Sequence, residues 1–364
     1  MVVYHHDDLD GISAAAIIAA KNPDLENTTF KKFSYGDKFN THNNDSNIKE
    51  EVLLLDISFS KDTYEQLKTI CNEAKSVIWI DHHATSVDMI DKYKDELQKI
   101  QNLTYFVSNK HCGALLTYAY MNIPTNDLFK IRDTKNKETY NISISDFLDN
   151  TNEIEVQLFK YSKDTMEIGI EHKIKIPKWL IYVDDYDCWK KKDKNSNYFQ
   201  LGIMAEDEYN ITYYDNDTDR LVLNNMWINI VNQGVDPLEW VQKGKIIYNY
   251  LMRKYKDEFG MTFIWNYDGK KFLCKNSTGN SYNFLDQSSK YDATILFAYN
   301  GATGKWEYSI YSDENTGIDC KEFAEKLGGG GHIHASGFST DKLIFIEKNP
   351  IVSEFGLFSN VNFK

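Results

Sequence analysis

The sequence predicts an α/β protein: an N-terminal parallel-sheet domain with helices on both faces, a helical connector, and a smaller C-terminal mixed α/β domain. Three observations carry this expectation. Short strand-like runs alternate with helical patterns over the first third of the chain. Two of those runs, Val52-Leu53-Leu54-Leu55 and Val77-Ile78-Trp79-Ile80, are apolar without alternation, as strands covered on both faces require. Past residue 223 a long helical pattern gives way to short strands and a glycine run. At 364 residues the chain exceeds one ordinary core, so more than one domain is expected.

Taken in order, Val2-Val3-Tyr4 reads as a first strand and residues 11–20 as a small-residue helix. Residues 29–33 form a weaker strand, and 51–57 and 76–80 the two buried ones. Between the buried strands, residues 60–75 have helical spacing at Tyr64, Leu67 and Ile70, with Ser60 as the expected N-cap. Residues 126–175 are polar and broken into short alternating pieces such as Tyr140-Asn141-Ile142-Ser143-Ile144, the pattern of an inserted hairpin or excursion. Residues 179–183 end at Asp184 and fit either a strand or a helix. Pro237 opens a helix through Trp240, Ile247, Leu251 and Tyr255 within the connector. Strands at 271–274, 293–299 and 306–311 and a helix near 319–327 complete the C-terminal part.

Composition narrows the function. The five cysteines contain no Cys-x-x-Cys pair, which argues against a zinc ribbon or a disulfide framework. A net charge of −13 removes any broad attraction for duplex DNA or an anionic membrane. A nucleic-acid substrate would therefore be short and held locally, with metal ions supplying positive charge. The start Met1-Val2-Val3-Tyr4 has neither the basic residues nor the apolar stretch of a signal peptide, so the expected location is cytoplasmic.

Chemistry concentrates where strands end. His5-His6-Asp7-Asp8-Leu9-Asp10-Gly11 directly follows the first strand, and carboxylates and imidazoles this close repel unless a cation neutralises them. A solvated acidic turn would carry the same residues. Asp56 follows the first of the two buried runs and Asp81-His82-His83 the second. Each alone could be a turn or cap, but three strands of one parallel sheet delivering Asp or His at their carboxyl ends mark the edge where such sheets bind ligands. Asp184-Asp185-Tyr186-Asp187 could add one more carboxylate, and spacing does not say which. Near the C-terminus, Gly328-Gly329-Gly330-Gly331-His332 could bring backbone N–H groups around a phosphate. A flexible linker is the plainer reading of glycines, weakened here by the ordered-looking His334-Ala335-Ser336-Gly337-Phe338 that follows.

These residues resemble the DHH phosphoesterases. His6-x-Asp8-x-Asp10-Gly11, Asp56 and Asp81-His82-His83 look like the family's first three motifs, and Gly329-Gly330-Gly331-His332 with Ala335-Ser336-Gly337-Phe338 looks like its associated substrate domain. The resemblance implies a catalytic domain over residues 1–223 with an excursion at about 126–175, a connector over 224–260 and a substrate-binding domain over 261–364. It implies two divalent ions, manganese in most members. His6 and Asp8 would hold the first, Asp10, His82 and Asp185 the second, with Asp187 the rival to Asp185, and Asp56 would bridge both. Catalytic roles fall to Asp56, to His83 facing the scissile phosphate, and to Asp81 orienting the imidazoles; Gly329, Gly330, Gly331 and His332 would bind substrate. Tyr311 stands where the family places an Arg, a departure that implies a different phosphate or base contact.

The implied activity is a metal-dependent phosphodiesterase acting on short oligonucleotides or cyclic nucleotides, and the family's habit adds a homodimer. Two other readings compete. A protein that sequesters a signalling nucleotide would not need a complete ligand set. A pyrophosphatase would be expected to carry a Lys- or Arg-rich motif in place of the glycine loop.

Overall fold

The computed structural model describes all residues except 23–26, 35–38, 40–48, 123–130, 133–138, 141–152, 162–165, 216–219, 279–289, 314–317, 346–361 and 364. The chain is α/β and divides into two compact units, Met1–Ile247 and Tyr248–Lys364.

The first unit is built on a five-stranded sheet ordered β2-β1-β3-β4-β5, every pairing parallel. Its strands are β1 (Val2–His6), β2 (Thr29–Phe33), β3 (Glu51–Leu55), β4 (Ser76–Asp81) and β5 (Leu103–Val107). The continuous apolar runs have a direct cause. Leu53 and Leu55 point into one core with helix α1 (Leu9–Lys21), while Val52 and Leu54 point into a second core on the opposite face. That second core holds Leu67 and Ile70 of α2 (Tyr64–Glu73) and Met89 of α3 (Ala84–Leu97). Each buried side chain of this size stabilises the fold by about 1.5–3 kcal/mol, so covering both faces of β3 decides its place at the centre of the sheet.

From β1 the chain first adds β2 on one side and then crosses to β3 on the other. The strand order therefore reverses between β1 and β3, and a crevice at the carboxyl ends of those two strands follows.

Helix α2 begins later than the sequence pattern suggests. Thr63 occupies its N-terminal boundary, and Ser60 closes the turn before it, accepting the N–H of Thr63 at 3.1 Å on its carbonyl. Helix α4 (Gly113–Asn122) packs on α1, joined in the same core by α5 (Lys178–Asp187), α6 (Lys194–Ile203) and α7 (Asn225–Gln233). Residues 179–184 are thus helical, entered from Pro177. The expected long helical span is two helices: α7 stops at Gly234, whose φ is +61°, and α8 (Leu238–Glu258) follows. The border between the units falls inside α8, within the expected connector.

In the excursion, strands β6 (Ile131–Arg132) and β7 (Thr139–Tyr140) pair, and β8 (Glu153–Tyr161) pairs antiparallel with β9 (Met166–Lys175). The alternating piece beginning at Tyr140 lies, from residue 141 on, outside the described residues. A further short pair joins β10 (Thr212–Asp215) to β11 (Arg220–Leu223).

The second unit is a mixed sheet. It comprises β12 (Phe263–Tyr267), β13 (Lys270–Asn276), β14 (Ala293–Asn300), β15 (Lys305–Tyr311), β16 (Gly330–Gly331), β17 (Ala335–Thr340) and β18 (Asn362–Phe363). Their order is β16-β17-β15-β14-β13-β12-β18, with β13 and β14 parallel. Helix α9 (Cys320–Glu325) covers it through Cys320, Phe323 and Ala324, and its N-cap Asp319 accepts the N–H of Glu322 at 2.9 Å. Among the described residues no helix is long and apolar enough to cross a membrane.

Candidate metal centre

Five Asp and three His side chains meet at the carboxyl edge of β1, β3 and β4. β1 delivers His6, and the chain then turns into α1. Asp8 caps that helix, accepting the N–H of Gly11 on Oδ1 at 2.9 Å, so the acidic-turn reading of this residue is half right. Its other oxygen, Oδ2, stays 2.8 Å from His6 Nδ1. Gly11 is needed for room: a Cβ there would stand 2.3 Å from the His6 carbonyl oxygen. Asp10 points back under the sheet edge from the first turn of α1. The amino end of α4 meets it, with the N–H groups of Gly113 and Ala114 donating to its two oxygens at 2.6 and 2.8 Å.

Asp56 sits between these groups. Its backbone takes φ +56°, a left-handed conformation that a strand does not continue and that Asp tolerates better than most residues. The N–H of Asp56 still donates to the Ile80 carbonyl at 2.8 Å, so the bend is anchored to β4 while the carboxylate leaves the sheet. His82 follows β4, and its Nε2 lies 3.0 Å from Asp187 Oδ2, 3.2 Å from Asp56 Oδ1 and 3.5 Å from Asp10 Oδ2. His83 Nδ1 lies 2.8 Å from Asp81 Oδ1 and 3.7 Å from Asp56 Oδ1.

The electrostatics are those of a site made for cations. Asp10, Asp56, Asp81 and His82 are at most 2% exposed. Burial, reinforced by Asp187, lifts the Asp10 carboxyl to about 7. Burial with Asp8 and Asp10 beside it lifts Asp56 well above the carboxylate range. Burial alone would depress His82 and His6, yet the neighbouring carboxylates outweigh it, raising His82 well above the imidazole range and His6 to about 9. Asp8 and Asp81 move the other way: burial would lift them, and the adjacent His6 and His83 hold them below their ordinary value. Protons shared with imidazolium rings are thus the stand-ins for missing positive charge.

Donor chemistry provides a direct test of whether a metal fits. Both oxygens of Asp56 and Oδ2 of Asp187 are buried without a well-formed hydrogen bond, with His82 Nε2 3.2 Å from Asp56 Oδ1 and 3.0 Å from Asp187 Oδ2. Unpaired buried carboxylate oxygens are costly unless a cation takes them. Ligand atoms of His6, Asp8 and Asp56 lie within 4.8 Å of one another, and so do those of Asp10, Asp56 and His82. The residues fit divalent ions.

One expected ligand is corrected. Asp185 turns away from the cluster and holds the start of α6, accepting the N–H of Lys192 at 2.8 Å and the hydroxyl of Ser196 at 2.5 Å. Asp187 is the carboxylate at His82. The segment is a helix, and residues two apart on a helix face different ways. Sequence reading also missed the amino end of α4, for which the Ser108-Asn109-Lys110 turn signal three residues ahead of Gly113 was available. It missed Cys188 too, whose Sγ lies 3.9 Å from His82 Nδ1 and whose thiol burial pushes up to about 12.

The glycine loop belongs to the second unit. A Cβ on Gly329 would stand 2.1 Å from the Gly337 carbonyl oxygen, and Gly331 has φ +138° and would place a Cβ 2.7 Å from the Ala335 carbonyl oxygen. These glycines let β16 lie against β17, and the plain-linker reading does not apply to them. The N–H of Gly329 donates to Ala324 at 2.9 Å and that of His332 to Ala335 at 2.7 Å. Those two amides are spent inside the unit, which corrects the expectation that they encircle a phosphate. Tyr311 ends β15 opposite Ala335.

No protein-family model and no curated protein matches the chain. Solved structures similar to it include a pGpG-specific phosphodiesterase, PggH, from Vibrio cholerae, at 11% identity over 93% of this chain and 92% of that one, with a TM-score of 0.37. An exopolyphosphatase-related protein from Bacteroides fragilis aligns at 13% over 94% and 87%, TM-score 0.44. RecJ from Thermus thermophilus, solved with Mn2+, aligns at 12% over 93% of this chain and 49% of its own, TM-score 0.37. The chemistry of this chain therefore rests on its own residues.

Proposed function

We propose that this chain is a DHH-type, metal-dependent phosphodiesterase that hydrolyses short oligonucleotides or cyclic nucleotides. One observation carries the reading: two ligand groups, His6–Asp8–Asp56 and Asp10–Asp56–His82, share a single buried carboxylate without a well-formed hydrogen bond. A shared carboxylate is how paired divalent ions are held, and Asp187 joins the second group through its contact with His82. When bound, such ions supply a nucleophile from water at neutral pH and neutralise charge gathering on a phosphoryl group. Manganese suits this mixture of imidazole and carboxylate donors.

The remaining roles belong to the protein. His83, fixed through Nδ1 by Asp81 and 14% exposed at its side chain, is placed to present its other nitrogen to a phosphate. The amino end of α4 orients Asp10 through two backbone donors. Short substrates follow from charge: at −13 the chain offers a polyanion no extended attraction, so binding must come from a local grip.

The test is a panel of di- to pentaribonucleotides, cyclic di- and trinucleotides and pyrophosphate, incubated with Mn2+ and read by product mass. Release of mononucleotides from short RNA, or opening of rings, with loss of both in Asp56→Asn, is the expected result. Cleavage of pyrophosphate alone, or tight binding of one nucleotide without cleavage, would replace this reading by one of the other two. Full activity in Asp56→Asn would remove the metal assignment.

A further inference from the structure

His82 has two ring nitrogens, and the acidic cluster accounts for only one. Nε2 faces Asp10, Asp56 and Asp187. Nδ1 faces the opposite way, toward the sulfur of Cys188 at 3.9 Å. Cys188 follows the last turn of α5, and its thiol donates to Asp184 Oδ1, one turn earlier, at 3.7 Å. Asp184 is itself held from three sides. Its Oδ1 accepts the N–H of Cys112 at 2.9 Å, while Oδ2 accepts the ammonium of Lys190 at 2.6 Å and lies 3.3 Å from His111 Nδ1. Asp184 is buried, 7% exposed, and these three contacts fix its carboxylate independently of the thiol.

Proton counting then sets the tautomer. A thiol has one hydrogen, and Asp184 takes it. The sulfur can meet His82 Nδ1 only as an acceptor, so Nδ1 carries the ring proton whenever Nε2 does not. We infer that Cys188 is a positioning residue: by linking His82 to the anchored Asp184 it holds the imidazole with Nδ1–H toward the sulfur and the Nε2 lone pair toward the acidic cluster, ready for a metal. Histidine ligands are ordinarily held from behind by a carboxylate or carbonyl directly. Here a thiol is interposed, and the carboxylate acts through it. This gives the three acidic residues of Asp184-Asp185-Tyr186-Asp187 three distinct jobs: Asp184 anchors the relay, Asp185 holds α6, and Asp187 faces the cluster.

The inference rests on His82 being a metal ligand, and the experiment separates the two. Mn2+ binding to the full chain is measured by electron paramagnetic resonance for wild type, His82→Ala, Cys188→Ala and Cys188→Ser, with thermal unfolding of each recorded alongside. Loss of the group behind a ligating histidine weakens metal binding by about 10–100-fold, and that is the shift expected for Cys188→Ala. Cys188→Ser, whose hydroxyl can still donate to Asp184 and accept from Nδ1–H, should recover most of it. Adding Asp184→Asn to Cys188→Ala should weaken binding little further, since the relay is already cut. If His82→Ala binds Mn2+ as wild type does, the metal assignment of His82 fails. If His82→Ala loses binding while Cys188→Ala keeps it, the relay fails alone. Should Cys188→Ala unfold, nitrogen-15 spectra of the Zn2+-loaded wild type decide the matter: a proton on His82 Nδ1 supports the relay, and one on Nε2 overturns it.

Discussion

At the residue scale, neighbouring acids have separate fates that their sequence does not disclose. Asp185 and Asp187 are two apart on α5, one bonded to Ser196 and the other 3.0 Å from His82. Asp187→Asn is therefore expected to weaken Mn2+ binding at least tenfold with little change in unfolding temperature. Asp185→Asn should do the reverse, lowering stability by about 1–3 kcal/mol through its lost contacts with α6 while leaving metal binding intact. Calorimetric titration of both variants checks the assignment, and the opposite pattern would restore Asp185 to the site. Asp184 carries a pH prediction. Burial would raise its carboxyl, but His111 and Lys190 bring it down to about 2 in the folded chain. An unfolded Asp titrates near 3.9, so its contribution is complete above that pH and disappears as the pH falls toward about 2. Urea unfolding of wild type and Asp184→Asn should differ by a constant amount above about pH 4 and converge by about pH 2. A gap that persists at the acid end would mean that the charge is not what stabilises.

At the element scale, strands were easier to read than helix ends. β3 and β4 announced themselves because both faces are covered, which forces uninterrupted apolar runs. The start of α2 was misplaced because Ser60 and Thr63 are equally good boundary residues, and only the turn between them settles which is used. A contact between helices was invisible altogether. Gly202 of α6 and Gly244 of α8 meet backbone to backbone: a Cβ on Gly202 would stand 1.8 Å from the Trp240 carbonyl oxygen, and one on Gly244 1.6 Å from that of Tyr198. Intrinsic propensity favours Ala over Gly inside a helix by about 1 kcal/mol. Overpacking costs about 1–3 kcal/mol, and here the clash is with main chain that cannot rotate away. The clash should win. Gly202→Ala and Gly244→Ala are expected to lower stability by at least about 2 kcal/mol in chemical denaturation, and a neutral or stabilising result would mean the helices do not touch as described.

At the scale of the whole molecule, the sequence places nearly all of the cluster in one unit because each member ends a strand or begins the helix after it. The clusters at 5–10, Asp56 and 81–83 were legible from position, and the family resemblance implied which of their members to single out. What was not legible is what holds them: the bend at Asp56, the amino end of α4 and the thiol behind His82 all arise from contacts between distant parts of the chain. The same concentration of charge makes a prediction about stability. Five carboxylates and three imidazoles gathered in a largely buried space repel or share protons until cations enter, and none of these residues lies in Tyr248–Lys364. Metal binding should therefore stabilise the first unit selectively. At a free Mn2+ concentration about 100 times its dissociation constant, one site adds about 2.7 kcal/mol to the folded state. Hydrogen exchange with Mn2+ and with chelator locates that gain: protection is expected to rise at the carboxyl ends of β1, β3 and β4 and at the amino end of α4, and to stay level across β13, β14 and β15. Equal protection under both conditions would show that the cluster holds no ion. A gain confined to the second unit would move the metal away from Asp56 altogether.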